Sequence, residues 1–451
     1  MKRKLAFGLI TLFCGQLFAG GIVTNTNQSA QFVRLLSRNA STQIDAVYFN
    51  PAGLAHLSDG LHFSLNNQSI FQEKTVKTTF PLLNSNSYIG DVTVPFFPSF
   101  FGVYKKSNLA ISFGFGPNGG GGSAEYSTGL PSFEMPVSVL PGMISALGIP
   151  TTEYTADISF DGSSVYWGAQ FGASYALNDL FSLAGGVRLI MAKNTYEGHI
   201  RNVMINPTYP ALDYTGDFVP APAFFNAIGQ PVYAAMTSDM EVDATQSGTA
   251  FTPFFGANIN IENKLNIGLK YEMNTNLELT NESGPGQDAG GMFLNDSSFR
   301  SDIPAILAVG IEYMVMDGFR VSASYNSYFD KNADWEGREE FVDKNLYEIA
   351  VGMEYDVSPM VTVSAGFMHG ETGVAEGYQT DISFSNSSNT VGFGGRLHLN
   401  ENLSIDLGAL ITMYESAEEN KSYATMATPI EYKETFNKSL MDFAIGVNYS
   451  F

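Results

Sequence analysis

The sequence predicts an all-β fold: a transmembrane antiparallel β-barrel of about 14 strands. Three observations carry this. The chain opens with an export leader, apolar residues then alternate with period two, and its connections alternate between short and long.

The leader comes first. Lys2, Arg3 and Lys4 precede an apolar run from Leu5 to Phe13, and a small-residue site follows at Ala19 and Gly20. That is a secretory signal peptide over residues 1–19, too short and wrongly flanked for a membrane helix. Leu17, three residues before the cut, is less typical of such sites. Cys14 raises the question of a lipid anchor, but Thr11, Leu12 and Phe13 lack the small residue expected beside such a cysteine. Cleavage at Ala19 removes the chain's one cysteine, and with it any disulfide, thiolate nucleophile or cysteine-metal cluster. It also leaves 20 Lys and Arg against 45 acids, a balance that repels nucleic acid and excludes it as a partner.

Composition narrows the class further. Gly 45, Tyr 22 and Phe 35 are high, charged residues make up only 15%, and no apolar run after the leader is long enough for a membrane helix. A closed barrel is the remaining way to cross a bilayer with every backbone group paired.

Alternation places the strands, because successive side chains on a strand point to opposite faces. In the last one, Met441, Phe443, Ile445, Val447, Tyr449 and Phe451 share one face and Asp442, Ala444, Gly446, Asn448 and Ser450 the other. Leu403, Ile405, Leu407, Ala409, Ile411 and Met413 repeat the pattern against Ser404, Asp406, Gly408 and Thr412. The segments 165–175, 265–274 and 307–313 follow it too. Short turns fall near Ser107, Asp179, Asn263, Gly318, Pro359 and Glu401, and longer connections are expected at 72–95, 118–162, 194–241, 282–298, 330–341, 370–387 and 416–438. Short turns on one side and long loops on the other are the pattern of an outer-membrane barrel spanning 61–451. A soluble sandwich or propeller has no reason for that asymmetry.

Residues 20–60 precede the first strand and are too apolar for a disordered tail, with Phe32, Leu35, Leu36, Tyr48, Phe49 and Leu54 among them. They read as a compact plug or as a periplasmic cap. Here the chain resembles a known family. Gly20-Gly21-Ile22-Val23-Thr24-Asn25, and later Asp45-Ala46-Val47-Tyr48-Phe49-Asn50-Pro51-Ala52-Gly53, look like the FadL/TodX family of outer-membrane long-chain fatty-acid and hydrocarbon transporters. Asp302-Ile303-Pro304-Ala305 leading into a strand, and the closing Phe451, are similar as well. The resemblance implies a hatch held by Asn50, Pro51 and Ala52 inside a 14-stranded barrel. It implies a movable gate at the mature N-terminus, including Gly20, Gly21, Ile22 and Val23, and sideways exit through a gap beside a kinked strand.

Gly114, Gly116 and Pro117, running into Asn118 and four glycines, are the candidate kink; the same residues also read as the start of a flexible loop. Two long loops are unusually apolar. Phe133, Met135, Val139 and Leu140 lie in one, and Phe224 and Phe225 in the other. They form either a capture surface for cargo or a lid packed on itself. Arg188, Lys270, Arg320 and Arg396 fall on the lumen face and are candidate contacts for a carboxylate. Asp406, Asp442, Glu272, Glu312, Glu348 and Glu354 are available to neutralise them instead.

Catalytic motifs are missing: His56, His62, His199, His369 and His398 form no HExxH pair or metal-spaced cluster, and no Gly-x-Ser-x-Gly elbow occurs. The expectation is a non-enzymatic, monomeric, multi-pass protein of the cell outer membrane, with no cofactor or metal. Its partners are a fatty acid or other small hydrophobic molecule and the surrounding outer-membrane lipid. Without an energy-coupling motif, transport is expected to be passive. A general porin or an adhesive surface barrel is the alternative.

Overall fold

The computed structural model describes residues 24–425 and 428–451. The leader and the expected gate residues Gly20, Gly21, Ile22 and Val23 lie outside that range. Fourteen antiparallel strands close into a barrel. In chain order they are β1 (Gly60–Thr78), β2 (Ser87–Lys106), β3 (Leu109–Tyr126), β4 (Tyr154–Ala176), β5 (Phe181–Ile205) and β6 (Met240–Ile261). β7 comes in two pieces (Leu265–Glu272 and Glu278–Asp288), as does β8 (Ser298–Arg300 and Ile306–Met316). There follow β9 (Phe319–Tyr328), β10 (Tyr347–Ser358), β11 (Val361–Glu371) and β12 (Ser388–His398). β13 (Leu403–Tyr414 and Ala417–Tyr423) and β14 (Ile430–Ser450) complete the ring. β14 pairs with β1 from Ser450 opposite His62 to Glu434 opposite Thr78, which leaves no free edge.

The predicted faces appear in the exposure pattern. Phe443 is 52% exposed and Ile445 49%, whereas Asp442, on the opposite face of the strand, is fully buried. The strands run further than their apolar alternation does. The expected loop 72–95 shrinks to 79–86, and 194–241 to 206–239, because β1, β2, β5 and β6 continue as paired ladders above the apolar band. The band ends at a row of outward carboxylates. Glu73, Asp91, Glu125, Asp161, Glu197 and Asp243 face one another directly across β1 to β6. Polar residues on both faces carry no hydrophobic period, so the sequence shows these extensions as loops.

The N-terminal segment fills the lower lumen. Helices α1 (Ala30–Arg34) and α2 (Ala46–Phe49) and a 3-10 turn, Pro51–His56, are almost entirely buried against the inner wall. Ser29 caps α1, its hydroxyl accepting from the Phe32 amide at 3.1 Å. Phe32 stacks on Phe49 with ring centres 5.4 Å apart. Lumen glycines make the room. A Cβ on Gly268 would stand 2.1 Å from the Asn39 carbonyl oxygen, one on Gly310 2.4 Å from the Asn39 carbonyl carbon, and one on Gly392 2.5 Å from the Val33 carbonyl oxygen. No helix among the described residues is long and apolar enough to cross a membrane. The strands make the crossing.

Candidate functional site

The hatch is fastened to the inner wall by polar contacts. The Asn50 amide nitrogen donates to the Ser41 carbonyl at 3.0 Å and to Asn258 Oδ1 of β6 at 2.7 Å. Pro51 opens the 3-10 turn, and the Ala52 carbonyl accepts from the Ser182 hydroxyl at 2.7 Å. Thus the Asn50, Pro51, Ala52 segment is clamped between β5 and β6.

The four cations expected to await a carboxylate already have partners. Arg188 pairs with Glu272 at 2.7 Å, and Lys270 with the same carboxylate at 2.7 Å, while donating also to the Tyr48 carbonyl at 2.7 Å. Both cations lie over the Tyr48 ring of the hatch. Arg320 bonds Glu354 at 2.8 Å, and Arg396 bonds Asp406 at 2.9 Å. Arg34 of α1 joins that second group, reaching Asp406 at 2.8 Å and also Glu354. A buried charge needs such a partner, so these groups hold the hatch and wall together rather than standing open to cargo.

Above the hatch lies a cavity of about 640 Å³, within the range that encloses a small organic ligand. Phe32 forms part of its floor; Ile70, Leu410, Leu440 and Met368 give it apolar walls, with Tyr126 and Phe160 also in its lining. The two apolar loops pack against each other. Helices α3 (Pro131–Ser138) and α4 (Leu140–Ala146) pack against α5 (Ala221–Ala227) and α6 (Pro231–Met236) in one core. Met135, Leu140, Phe224 and Phe225 are buried there, while Phe133 and Val139 are half-buried. They line the inside of a lid and not an open groove, because each loop hides the other's apolar face. The Phe133 ring packs at a tilt against Phe160, centres 5.0 Å apart, and so couples the lid to the cavity lining.

The wall beside the cavity is incomplete. β2 and β3 pair at Val92 opposite Ala124 and again at Phe100 opposite Phe115, with no pairing between. Residues 93–99 and 116–123 form the two rims, and both reach the cavity. Of the predicted kink residues, Gly114 still pairs with Phe101 and abuts Val47 of the hatch, whereas Gly116 and Pro117 begin the unpaired stretch. The sharp backbone positions come later, at Gly120 (φ +100) and Gly122 (φ +73). A Cβ on Gly120 would stand 2.4 Å from the Ser164 carbonyl oxygen, so only glycine fits that bend. On the other rim Pro95 and Pro98 lack N–H donors, a signal for a broken ladder that the alternation pattern did not expose. The first described residues of the hatch span both rims from inside. The Asn25 amide donates to the Asn118 carbonyl at 3.0 Å, Gln28 Nε2 donates to the Pro117 carbonyl at 2.8 Å, and the Ser99 hydroxyl donates to the Gln28 carbonyl at 2.6 Å.

Two lumen lysines were missed because they fell within segments read as loops. Lys74 of β1 and Lys438 of β14 are direct cross-strand partners, and both line the cavity. No group of acidic or histidine residues able to hold a metal ion occurs among the described residues.

Comparison with known proteins agrees with this architecture. No curated protein matches the sequence. Among solved structures, a FadL homologue of Pseudomonas aeruginosa superimposes with a TM-score of 0.64 at 15% identity, covering 96% of this chain and 99% of that one. The toluene transporter TodX of P. putida gives 0.56 at 14% identity over 91% and 95% of the two chains. The toluene transporter TbuX of Ralstonia pickettii gives 0.54 at 15% over 91% and 94%. At such identities the likeness establishes the fold. The family model for outer membrane protein transport proteins (OMPP1/FadL/TodX) matches residues 164–451. This chain therefore belongs to that family, as a non-enzymatic transport barrel that crosses the outer membrane many times.

Proposed function

We propose that the chain takes up small hydrophobic molecules passively, long-chain fatty acids among them, and releases them sideways between β2 and β3. One observation carries the reading: a cavity with apolar side chains along part of its wall, floored by a fastened hatch, opens onto an unpaired stretch of wall. An apolar cargo leaving there enters lipid and never meets the periplasmic water that would oppose it. The hatch contacts at Asn25 and Gln28 sit across that route, so release of these contacts gates it. The lid of α3 to α6 is the entry side, and it must part to admit cargo since its apolar residues are turned inward. The protein acts as a monomer within outer-membrane lipid. A general porin needs an open aqueous lumen, and the hatch occupies that space.

Native mass spectrometry of the protein released from mild detergent tests the proposal. A co-purifying hydrophobic ligand supports it and names its class. An empty barrel that conducts small ions freely in a planar bilayer refutes it.

A further inference from the structure

The wall interrupts its ladder a second time, and there it folds inward. β7 and β8 pair as far as Glu272 opposite Ile306 and again from Glu278 opposite Arg300, with one isolated bridge between, Thr275 to Ile303. Pro304 has no N–H to give to a ladder, which accounts for the break. Gly248 of β6 makes room for the fold, since a Cβ there would stand 2.1 Å from the Glu278 carbonyl oxygen. Leu277 and Ile303 of the infold pack in one cluster with Ala250 of β6, Ile190 of β5 and Tyr166 of β4. Tyr166 is the strand partner of Gly119, on the rim of the β2–β3 gap.

The infold also meets the end of the hatch. Thr24 bridges to Gly119 on one side. On its other side it lines, with Thr275, Ile303 and Pro304, a void of about 10 Å³, room for about one water. The Thr24 hydroxyl is buried and has no hydrogen-bond partner among the described residues. Backbone pairing thus ties the hatch end to the rim, and packing alone backs it from the infold. One carboxylate pins that infold. Asp302, 2% exposed, accepts from Asn274 Nδ2 at 2.8 Å, the Leu277 amide at 3.2 Å, Arg300 at 2.6 Å and the Asp334 amide at 3.3 Å. Its carbonyl accepts from Trp335 Nε1 at 2.8 Å. Trp335 is itself fully buried in the loop after β9, in a cluster with Val342 and Tyr378.

We infer that Asp302 is a positioning residue for the gate: it holds the β7–β8 infold as a stop behind Thr24 and so keeps the hatch end seated across the β2–β3 gap. Without the carboxylate, donors on both sides of the break lose a charged acceptor inside the wall, and the infold has nothing else to hold its inward course. Through Trp335 the same pin joins the stop to the loop after β9, so the seating of the hatch depends on a loop on the far side of the barrel from the gap. The inference rests on the proposed function only in taking the Asn25 and Gln28 contacts as the gate.

The test is amide hydrogen exchange of the purified full chain in detergent, read by mass spectrometry on the hatch end, 25–29, and separately on the hatch body, 30–56. Asp302→Ala should speed exchange of the hatch end about tenfold or more, the scale of a lost hydrogen bond to a charged group, and leave the body unchanged. Uptake of decan-1-ol by cells carrying the variant should change with it. Faster exchange of the hatch end with unaltered uptake would support the stop and overturn the gate reading beneath it. Faster exchange confined to 273–277 and 334–338 would overturn the stop, and so would faster exchange throughout the hatch, since Asp302 would then serve stability alone. Should Asp302→Ala fail to assemble, Ile303→Ala removes packing behind Thr24 and keeps the hydrogen bonds of the pin. It should loosen 25–29 in the same way, and unchanged exchange there would overturn the inference.

Discussion

Replacing Asn50 by alanine isolates the seating of the hatch from the stability of the barrel. The side chain is fully buried, and its amide nitrogen makes two hydrogen bonds, to the Ser41 carbonyl within the hatch and to Asn258 in the wall. Asn258 Oδ1 keeps a second donor, Asn266 Nδ2 at 2.9 Å, so the truncation strands one acceptor and not two. The Asn50 oxygen has no partner to lose. Two hydrogen bonds at about 1 kcal/mol each, with some further cost for the stranded Ser41 carbonyl, come to roughly 2–3 kcal/mol. That is on the order of a 30- to 150-fold shift towards an unseated hatch. No ladder bond of β6 or β7 involves this side chain, so the barrel itself stays closed. Single-channel recording in a planar bilayer reads the shift directly. The wild type should open rarely, and Asn50→Ala should open tens of times more often, with the heat-resistant migration of a folded barrel unchanged. Identical opening frequencies for the two proteins would refute the assignment of Asn50 as a hatch clamp.

Three further outcomes are expected. A Cβ on Gly122 would lie 2.8 Å from Val94 Cγ2, so Val94→Cys with Gly122→Cys is close enough to bridge the β2–β3 gap. Oxidation of that pair should lower uptake of a hydrophobic substrate and reductant should restore it; uptake indifferent to reductant would remove the lateral route. Deleting Phe451, which packs edge-on against Phe63 at 6.2 Å and bonds Leu61 through its amide at 2.9 Å, should reduce the protein found in the outer membrane, measured by membrane fractionation. Burial raises the Asp330 carboxyl, in the connection after β9, to about 7. The folded protein then holds a proton that the unfolded chain releases near pH 4, so stability is greatest below that and falls as pH rises towards 7. Hydrogen exchange of this loop should show the decline, and Asp330→Asn should abolish it.

Much of the architecture was written in local pattern. Alternation along 403–413 and 441–451 identifies both the membrane face and the lumen face, because a strand's period is two whatever it pairs with. The turns and the closing aromatic set the direction of the chain, and Asn50-Pro51-Ala52 marks the hatch. The inward direction of Arg188, Lys270, Arg320 and Arg396 was legible for the same reason; their partners were not. Arg34 meets Asp406 and Glu354 only because α1 folds back into a lumen built from strands hundreds of residues later. Likewise the break between β2 and β3 is a property of two strands together. Lys74 and Lys438 become neighbours only when the last strand closes against the first. Local chemistry determines which way each side chain points; the register of the closed ring decides what it meets there.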